Sequence, residues 1–325
     1  MKKYDVASLG ELLIDFTENG ISSQNNPLFE ANPGGAPCNV LAMLSKLGKT
    51  TAFVGKVGDD FFGRQLSSAI ESCGIDSTGL SFDKEIHTTL AFVKKLPNGD
   101  RDFSFYRNPG ADMNLSKEDV EKVSDKIISN CKIFHYGSLS MTSEKCFEAT
   151  MFAIETAKKS GALISFDPNL RPPLWKTLDE AKEKISYGMK MCDIMKISDN
   201  EILWFTGEKD YDTAVEKLRA EYPNIKLLLL SLGKDGSLAY FKDIKVSVPT
   251  FLEIKPVETT GAGDTFCACV LNYVLEHGLE NLTDSNLSEM LSFANAAATL
   301  VTTKKGALMV MPEKCDVMKL VESRK

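Results

Sequence analysis

The chain has 325 residues, 43% hydrophobic and 26% charged, the balance of a soluble globular protein of one large domain or two small ones. Its net charge of −7, with no Lys/Arg cluster, argues against a nucleic-acid partner, although local peptide dipoles still let an acidic chain take an anionic small molecule. No apolar run reaches membrane-span length, and Asp5, Glu11 and Asp15 interrupt the opening stretch where a signal peptide would be apolar, so a cytoplasmic protein is expected.

Taken in chain order, residues 4–10 (YDVASLG) read as a strand. Residues 21–35 (ISSQNNPLFEANPGG) are polar and read as irregular, with short extended pieces. Residues 36–48 predict a helix, with Val40, Met43, Leu44 and Leu47 on one face and Gly48 as its stop. A strand at 50–58 and a helix at 62–74 follow, the latter with Leu66, Ile70 and Cys73 on one side. Residues 87–107 alternate apolar and polar around Asn98-Gly99, which accepts the positive φ angles of a tight turn, so a hairpin is predicted. Buried strands are predicted at 132–139, 161–169, 192–198 and 225–233, separated by helices at 146–161, 177–191 and 211–223. This alternation predicts one parallel sheet covered by helices on both faces. The antiparallel pieces would form a separate small sheet, serving as a lid over a site or as a dimer contact. A single domain over 1–325 is expected, the small sheet coming from inserted segments at about 12–33 and 86–109.

Chemistry concentrates in two stretches. In residues 258–278 (ETTGAGDTFCACVLNYVLEHG), Phe266, Val270, Tyr273 and His277 recur at helical spacing, so a helix begins near Ala262 and stops at Gly278. Gly261 and Gly263 let the backbone turn sharply and approach a ligand. The first amides of that helix lack intrahelical partners and carry partial positive charge, which suits a phosphate or a developing oxyanion. Asp264 sits among them, either taking a proton from an attacking hydroxyl or simply complementing the helix dipole. In the second stretch, Gly34 and Gly35 precede a helix that carries Asn39 in its first turn. Glycines permitting close approach and a carboxamide with donors and an acceptor suit a polyol, or else a plain glycine turn. Neither G-x-x-x-x-G-K-[ST] nor G-x-G-x-x-G occurs, which removes the main support for P-loop and dinucleotide-binding readings. The eight cysteines are scattered with no C-x-x-C, and the three histidines are far apart, so reduced thiols are expected and a zinc site is not.

Together, in this order, the di-glycine element and TTGAGD resemble the ribokinase/PfkB carbohydrate kinases, and the resemblance runs from residues 8–16 (SLGELLIDF) to 302–312 (TTKKGALMVMP). It implies a ribokinase-like three-layer α/β/α sandwich with a mostly parallel central sheet and a small β-sheet lid. It implies that Asp264 is the catalytic base and that Gly261, Ala262 and Gly263 form an anion hole for the transferring phosphoryl group. Asp15, expected on the first strand, with Gly34, Gly35 and Asn39, would hold the sugar hydroxyls. Ser231, Gly233 and Gly236 match the nucleotide loop, and Asn295 a residue beside the adenine. Glu201 matches the glutamate of an N-x-x-E element that organises magnesium through water. ATP and magnesium are the implied co-substrate and metal, with potassium as an added monovalent cation. The sequence departs from the family pattern twice. Ser198 replaces the asparagine of N-x-x-E, reaching less far toward phosphate. Glu258 replaces an Asp or Asn at a position that, with Thr260 and carbonyls of Val301, Lys304 and Gly306, borders the monovalent cation site.

Residues 104–115 (SFYRNPGADMNL) and 166–175 (FDPNLRPPLW) resemble the fructokinase branch and its 2-keto-3-deoxygluconate kinase neighbours, and the segment matching the ribose-contacting glutamate of ribokinases has none here. Arg107 is expected to contact substrate hydroxyls or a carboxylate, Phe103 to close over the sugar from the same strand face, and Arg171 to reach phosphate. For both arginines the alternative is a surface ion pair. Phosphorylation of the fructose 6-hydroxyl is the leading expectation, with 2-keto-3-deoxygluconate or another PfkB-type sugar or nucleoside as the alternative acceptor. A sugar-binding protein without catalysis and an NAD(P) oxidoreductase are rivals from other classes. A homodimer through the lid is expected.

Overall fold

The computed structural model describes residues 2–95 and 101–324, without the side chains of 94, 95 and 101–103. Strands and helices are numbered along the chain. One sheet contains β1 (Tyr4–Leu9), β4 (Thr51–Gly58), β5 (Ile75–Asp83), β8 (Cys131–Gly137), β9 (Leu163–Asp167), β10 (Ile194–Ser198), β11 (Leu227–Ser231), β12 (Ser237–Phe241) and β13 (Ile244–Val248). A second contains β2 (Leu13–Ile21), β3 (Pro27–Gly34), β6 (Leu90–Lys95) and β7 (Arg101–Tyr106).

The large sheet is ordered β13-β12-β11-β10-β9-β8-β1-β4-β5. Every pairing from β11 to β5 is parallel, while β12 and β13 add an antiparallel edge. Strand β11 shows why the expected buried runs fold as they do. Leu227 and Leu229 enter one core and Leu228 and Leu230 the other, because successive side chains leave a strand on opposite faces. One face is covered by α1 (Ala36–Lys46), α2 (Phe61–Ser72), α8 (Ala262–His277), α9 (Asp284–Val301) and α10 (Lys314–Glu322). The opposite face carries α3 (Lys117–Ser124), α4 (Glu144–Lys159), α5 (Leu178–Met191), α6 (Asp199–Thr206) and α7 (Tyr211–Glu221). The result is the expected three-layer α/β/α arrangement. Helix α8 packs between α1 and α9 and is buried from Asp264 to Val274, as expected of a helix apolar on all sides.

In the small sheet, β2 pairs antiparallel with β3 and parallel with β6, and β6 pairs antiparallel with β7. The hairpin expected at 87–107 is therefore present, although its Asn98-Gly99 turn lies outside the described residues. The irregular reading of 21–35 is corrected. Pro27–Gly34 is a regular strand whose first half is exposed, so polar residues cost nothing there and backbone pairing with β2 sets the geometry. Asp15 is also not on the first strand: it lies on β2, opposite Asn32. Among the described residues no helix is long and apolar enough to cross a membrane. All eight cysteines are free.

Candidate active site

Two helix N-termini meet where the parallel strands end. Gly261 caps α8 with φ 78°, a left-handed conformation that suits glycine, and Gly35 precedes α1 with φ 125°. Asp264, in the first turn of α8, is only 9% exposed, and its Oδ2 accepts a hydrogen bond from Asn39 Nδ2 at 2.7 Å. Burial raises the Asp264 carboxyl above the ordinary aspartate value, opposed by the Asn39 hydrogen bond and by the charges of Lys196 and Arg171. The group is thus more basic than a surface carboxylate and is held in one orientation. Asn39 Oδ1 is buried with no hydrogen-bond partner among the described residues, which leaves it available to a donor such as a hydroxyl.

These groups line a cavity of about 630 Å³ that includes Asp15, Gly35, Asn39, Arg171, Thr260, Gly261, Gly263 and Asp264. The small sheet supplies one wall through Leu13, Asp15, Val93 and Phe105. Gly34 stands opposite Leu13 at the end of β3, and a side chain there would run into the Asp15 carboxylate. The Phe103 side chain lies outside the described residues; Phe105, two positions on along the strand, is in the wall. Arg107 immediately follows β7. It is 5% exposed and does not line the cavity. Its Nε donates to Asp112 Oδ2 at 2.7 Å, and its terminal nitrogens donate to Thr142 Oγ1 at 2.8 Å and the Leu139 carbonyl at 2.9 Å. The guanidinium is held by this buried network, and Leu139, one of its partners, lines the cavity.

A second cavity, about 380 Å³, is lined by Ser231 at the end of β11, by Gly233 and Gly236 in the loop after it, and by Asn295 of α9. Asn295 bridges Ser237 Oγ at 2.9 Å and the Val248 carbonyl at 3.0 Å, which fixes the loop beside it. Ala262 and Gly263 also border this cavity, and Thr259 and Gly263 border both. The first turn of α8 is therefore the partition between the two. A third cavity, about 520 Å³, holds Arg171, Lys196, Ser198, Asn200 and Glu201. There Glu201 accepts from the Leu170 amide at 2.6 Å, the Ser198 amide at 2.8 Å and Ser198 Oγ at 2.7 Å. Ser198 thus points at Glu201, capping α6.

Behind the partition, Glu258 is buried. Its Oε1 accepts from Thr260 Oγ1 at 2.7 Å and its Oε2 from the Gly306 amide at 3.0 Å. Glu258 so ties the turn before α8 to the segment after α9. Val301 is buried at the end of α9, Lys304 is exposed, and Gly306 has φ 83°. Among the described residues no Lys or Arg nitrogen lies within 4.0 Å of the Glu258 carboxylate.

Sequence reasoning missed three charged groups here. Lys196 on β10 pairs with Asp167 Oδ2 on β9 at 2.9 Å, both buried. Glu11, buried in the cavity wall, accepts from the Ala36 amide at 2.9 Å. A signal was present: a lysine interrupting one apolar strand and an aspartate closing another. The geometry as a whole lets a buried carboxylate deprotonate a hydroxyl in one cavity while the positive N-terminus of α8 borders the other, where it suits a phosphoryl group.

Comparison with known proteins gives a consistent pattern. The profile described as "pfkB family carbohydrate kinase" matches residues 3–314. Probable fructokinase-2 of Arabidopsis thaliana is 43% identical over 98% of this chain and 95% of its own length. Among solved structures, a fructokinase with bound ATP from Xylella fastidiosa superposes with a TM-score of 0.88 at 28% identity, covering 99% of each chain. A fructokinase from Vibrio cholerae O395 in fructose-, ADP- and calcium-bound form gives 0.87 at 26% identity, covering 98% of this chain and 99% of that one.

Proposed function

Since this chain belongs to the pfkB family of carbohydrate kinases, we propose that it is an ATP-dependent fructokinase that phosphorylates the 6-hydroxyl of fructose. The observation that carries the proposal is the position of Asp264, buried at the partition between the two cavities and hydrogen-bonded to Asn39. Fructose occupies the cavity of Asp15, Gly35 and Asn39, where carboxylate and carboxamide oxygens accept from its hydroxyls. ATP occupies the cavity of Ser231, Gly233, Gly236 and Asn295, with its terminal phosphate at the amides of Gly261, Ala262 and Gly263. Asp264 takes the 6-hydroxyl proton as that oxygen bonds to phosphorus, and the amides hold the charge on the transferring group.

Magnesium, when bound, neutralises charge on the phosphates. Glu201 fits a hydrated ion, because it borders a cavity and its Oε1, with one hydrogen bond from the Leu170 amide, keeps lone-pair capacity, while Oε2 is taken by Ser198. For a monovalent cation, Glu258 offers a buried carboxylate, bonded to Thr260 and the Gly306 amide and without an ion-pair partner among the described residues; the carbonyls of Val301, Lys304 and Gly306 would complete the site. The small sheet, drawn from about 12–33 and 86–109 of a single domain, acts as a lid that excludes water during transfer. Its outward aromatic cluster of Phe16, Phe29, Phe92 and Tyr106, with Tyr106 64% exposed and Ile21 66% exposed nearby, supports a homodimer through this sheet. A cytoplasmic location is in keeping with eight free thiols.

The test is an ATP-consumption assay with magnesium across fructose, glucose, ribose, adenosine and 2-keto-3-deoxygluconate, with and without potassium. Fructose is expected to give the highest kcat/KM. The sugar acid belongs in the panel because Arg171 lines the acceptor cavity and is a cation able to pair with a carboxylate. Turnover with the acid but not with fructose would reassign the substrate.

A further inference from the structure

We propose that Lys196 is a catalytic residue whose ammonium donates to an oxygen of the phosphoryl group during transfer, acting with the α8 amides. The inference rests on the kinase reading above and assigns a contact within that same site.

Three observations converge on it. First, Lys196 lines the acceptor cavity, with Asp264 and Gly263, and also the neighbouring cavity that holds Glu201. Second, a Cβ built on Gly263 would lie 3.1 Å from Lys196 Nζ, so the ammonium rests against the middle of the proposed anion hole. Third, Asp167 is the carboxylate it pairs with, at 2.9 Å, and an ammonium has three donors. A purely structural ion pair has no need to sit at the floor of two cavities.

The electrostatics are consistent with the geometry. Burial alone would lower the Lys196 pKa, but Asp167, Glu201 and Asp264 together raise it above the ordinary lysine value. The side chain therefore stays charged across the working pH range and acts as a fixed positive charge rather than a proton donor. Asp167 Oδ1 is buried with no partner among the described residues, which leaves the carboxylate anchoring Lys196 through one oxygen. In the reaction the bond from the acceptor oxygen to the γ-phosphorus forms and the bond from that phosphorus to the β,γ-bridging oxygen breaks. The hydroxyl proton goes to Asp264 and ADP leaves with the bridging oxygen. Charge on the phosphoryl oxygens peaks beside Gly263, where Lys196 stands.

The test compares Lys196→Met, Lys196→Arg and the double variant Asp167→Asn/Lys196→Met. The double variant removes both charges, so it keeps folding separate from chemistry if the single variant strands a buried Asp167. For Lys196→Met and the double variant, kcat with fructose should fall about 10²–10³-fold, while the fructose KM moves less than about threefold. Lys196→Arg should recover part of that loss. The acidic limb of the kcat profile should also move to higher pH in Lys196→Met, since Lys196 helps keep Asp264 ionised, whereas in the double variant loss of the Asp167 charge offsets that shift. A folded double variant turning over within about threefold of wild type would overturn the proposal while leaving the kinase reading intact. Wild-type turnover with a different sugar, lost in the double variant, would support Lys196 and overturn only the substrate. A wild type inert with every sugar would overturn both.

Discussion

Gly261→Ala puts the proposed anion hole under a defined mechanical load. Gly261 has φ 78°, which costs an L-residue about 1–2 kcal/mol. The new Cβ would also lie 2.6 Å from Ala307 Cβ, whereas carbon atoms normally rest about 3.5–4.0 Å apart. The two must separate by roughly 1 Å. Ala307 cannot simply retreat: it is buried, and the preceding Gly306 amide is fastened to Glu258 at 3.0 Å. The strain therefore passes into the first turn of α8, which carries the amides and Asp264. Overpacking adds about 1–3 kcal/mol. The combined cost of about 2–5 kcal/mol should lower Tm by roughly 3–7 °C in a domain of 325 residues. A 1 Å misplacement of catalytic groups is worth about 10²-fold in rate. Steady-state kinetics should therefore show kcat down about 10²-fold with the fructose KM little changed, and calorimetry should show the drop in Tm. The double variant Gly261→Ala/Ala307→Gly removes the clash but not the φ cost, and should recover about tenfold of kcat. Wild-type kcat and Tm in the single variant would refute the reasoning.

Three further outcomes are expected. Asn39→Ala removes a hydrogen bond that keeps Asp264 ionised, so the acidic limb of kcat/KM should shift to higher pH and kcat should fall about tenfold; an unmoved limb would break the Asn39–Asp264 link. Burial holds the Glu11 carboxyl at about 7 against an ordinary 4.5, opposed by hydrogen bonds including that from Ala36 and by the Arg107 charge. The folded chain keeps a proton there that the unfolded chain has released, so the stability this group contributes is complete below about 4.5 and lost as pH rises to about 7. Glu11→Gln should flatten the decline of Tm over that window, and an unchanged slope contradicts the assignment. Glu258→Ala releases both Thr260 and Gly306, so Tm should fall by several degrees and any potassium stimulation of kcat should disappear; potassium dependence equal to wild type would place the cation elsewhere.

Much of this was legible from the sequence because its signals are local. The run LLLL in β11, short and flanked by turn residues, reads as a strand covered on both sides, and the glycines and aspartate of GAGD announce a helix terminus with an acid in its first turn. What escaped depends on partners distant in the chain. Strand β3 looks irregular because its exposed half carries no apolar alternation, and it becomes a strand only through pairing with β2. Arg107 reads as a substrate ligand at the end of a hairpin, and its partners Asp112, Thr142 and Leu139 become visible only once α4 and the loop before it are packed. Lys196 and Asp167 are 29 positions apart, and only the register that sets Met195 beside Phe166 brings them together.

The central claim, that the buried carboxylate of Asp264 is the base that activates a sugar hydroxyl, is tested most directly by Asp264→Asn. The measurement pairs fructose 6-phosphate formation from fructose and ATP with the fructose Kd by calorimetry. The account predicts turnover reduced about 10²–10⁴-fold with Kd changed less than about threefold. Near-normal turnover in that variant would contradict it.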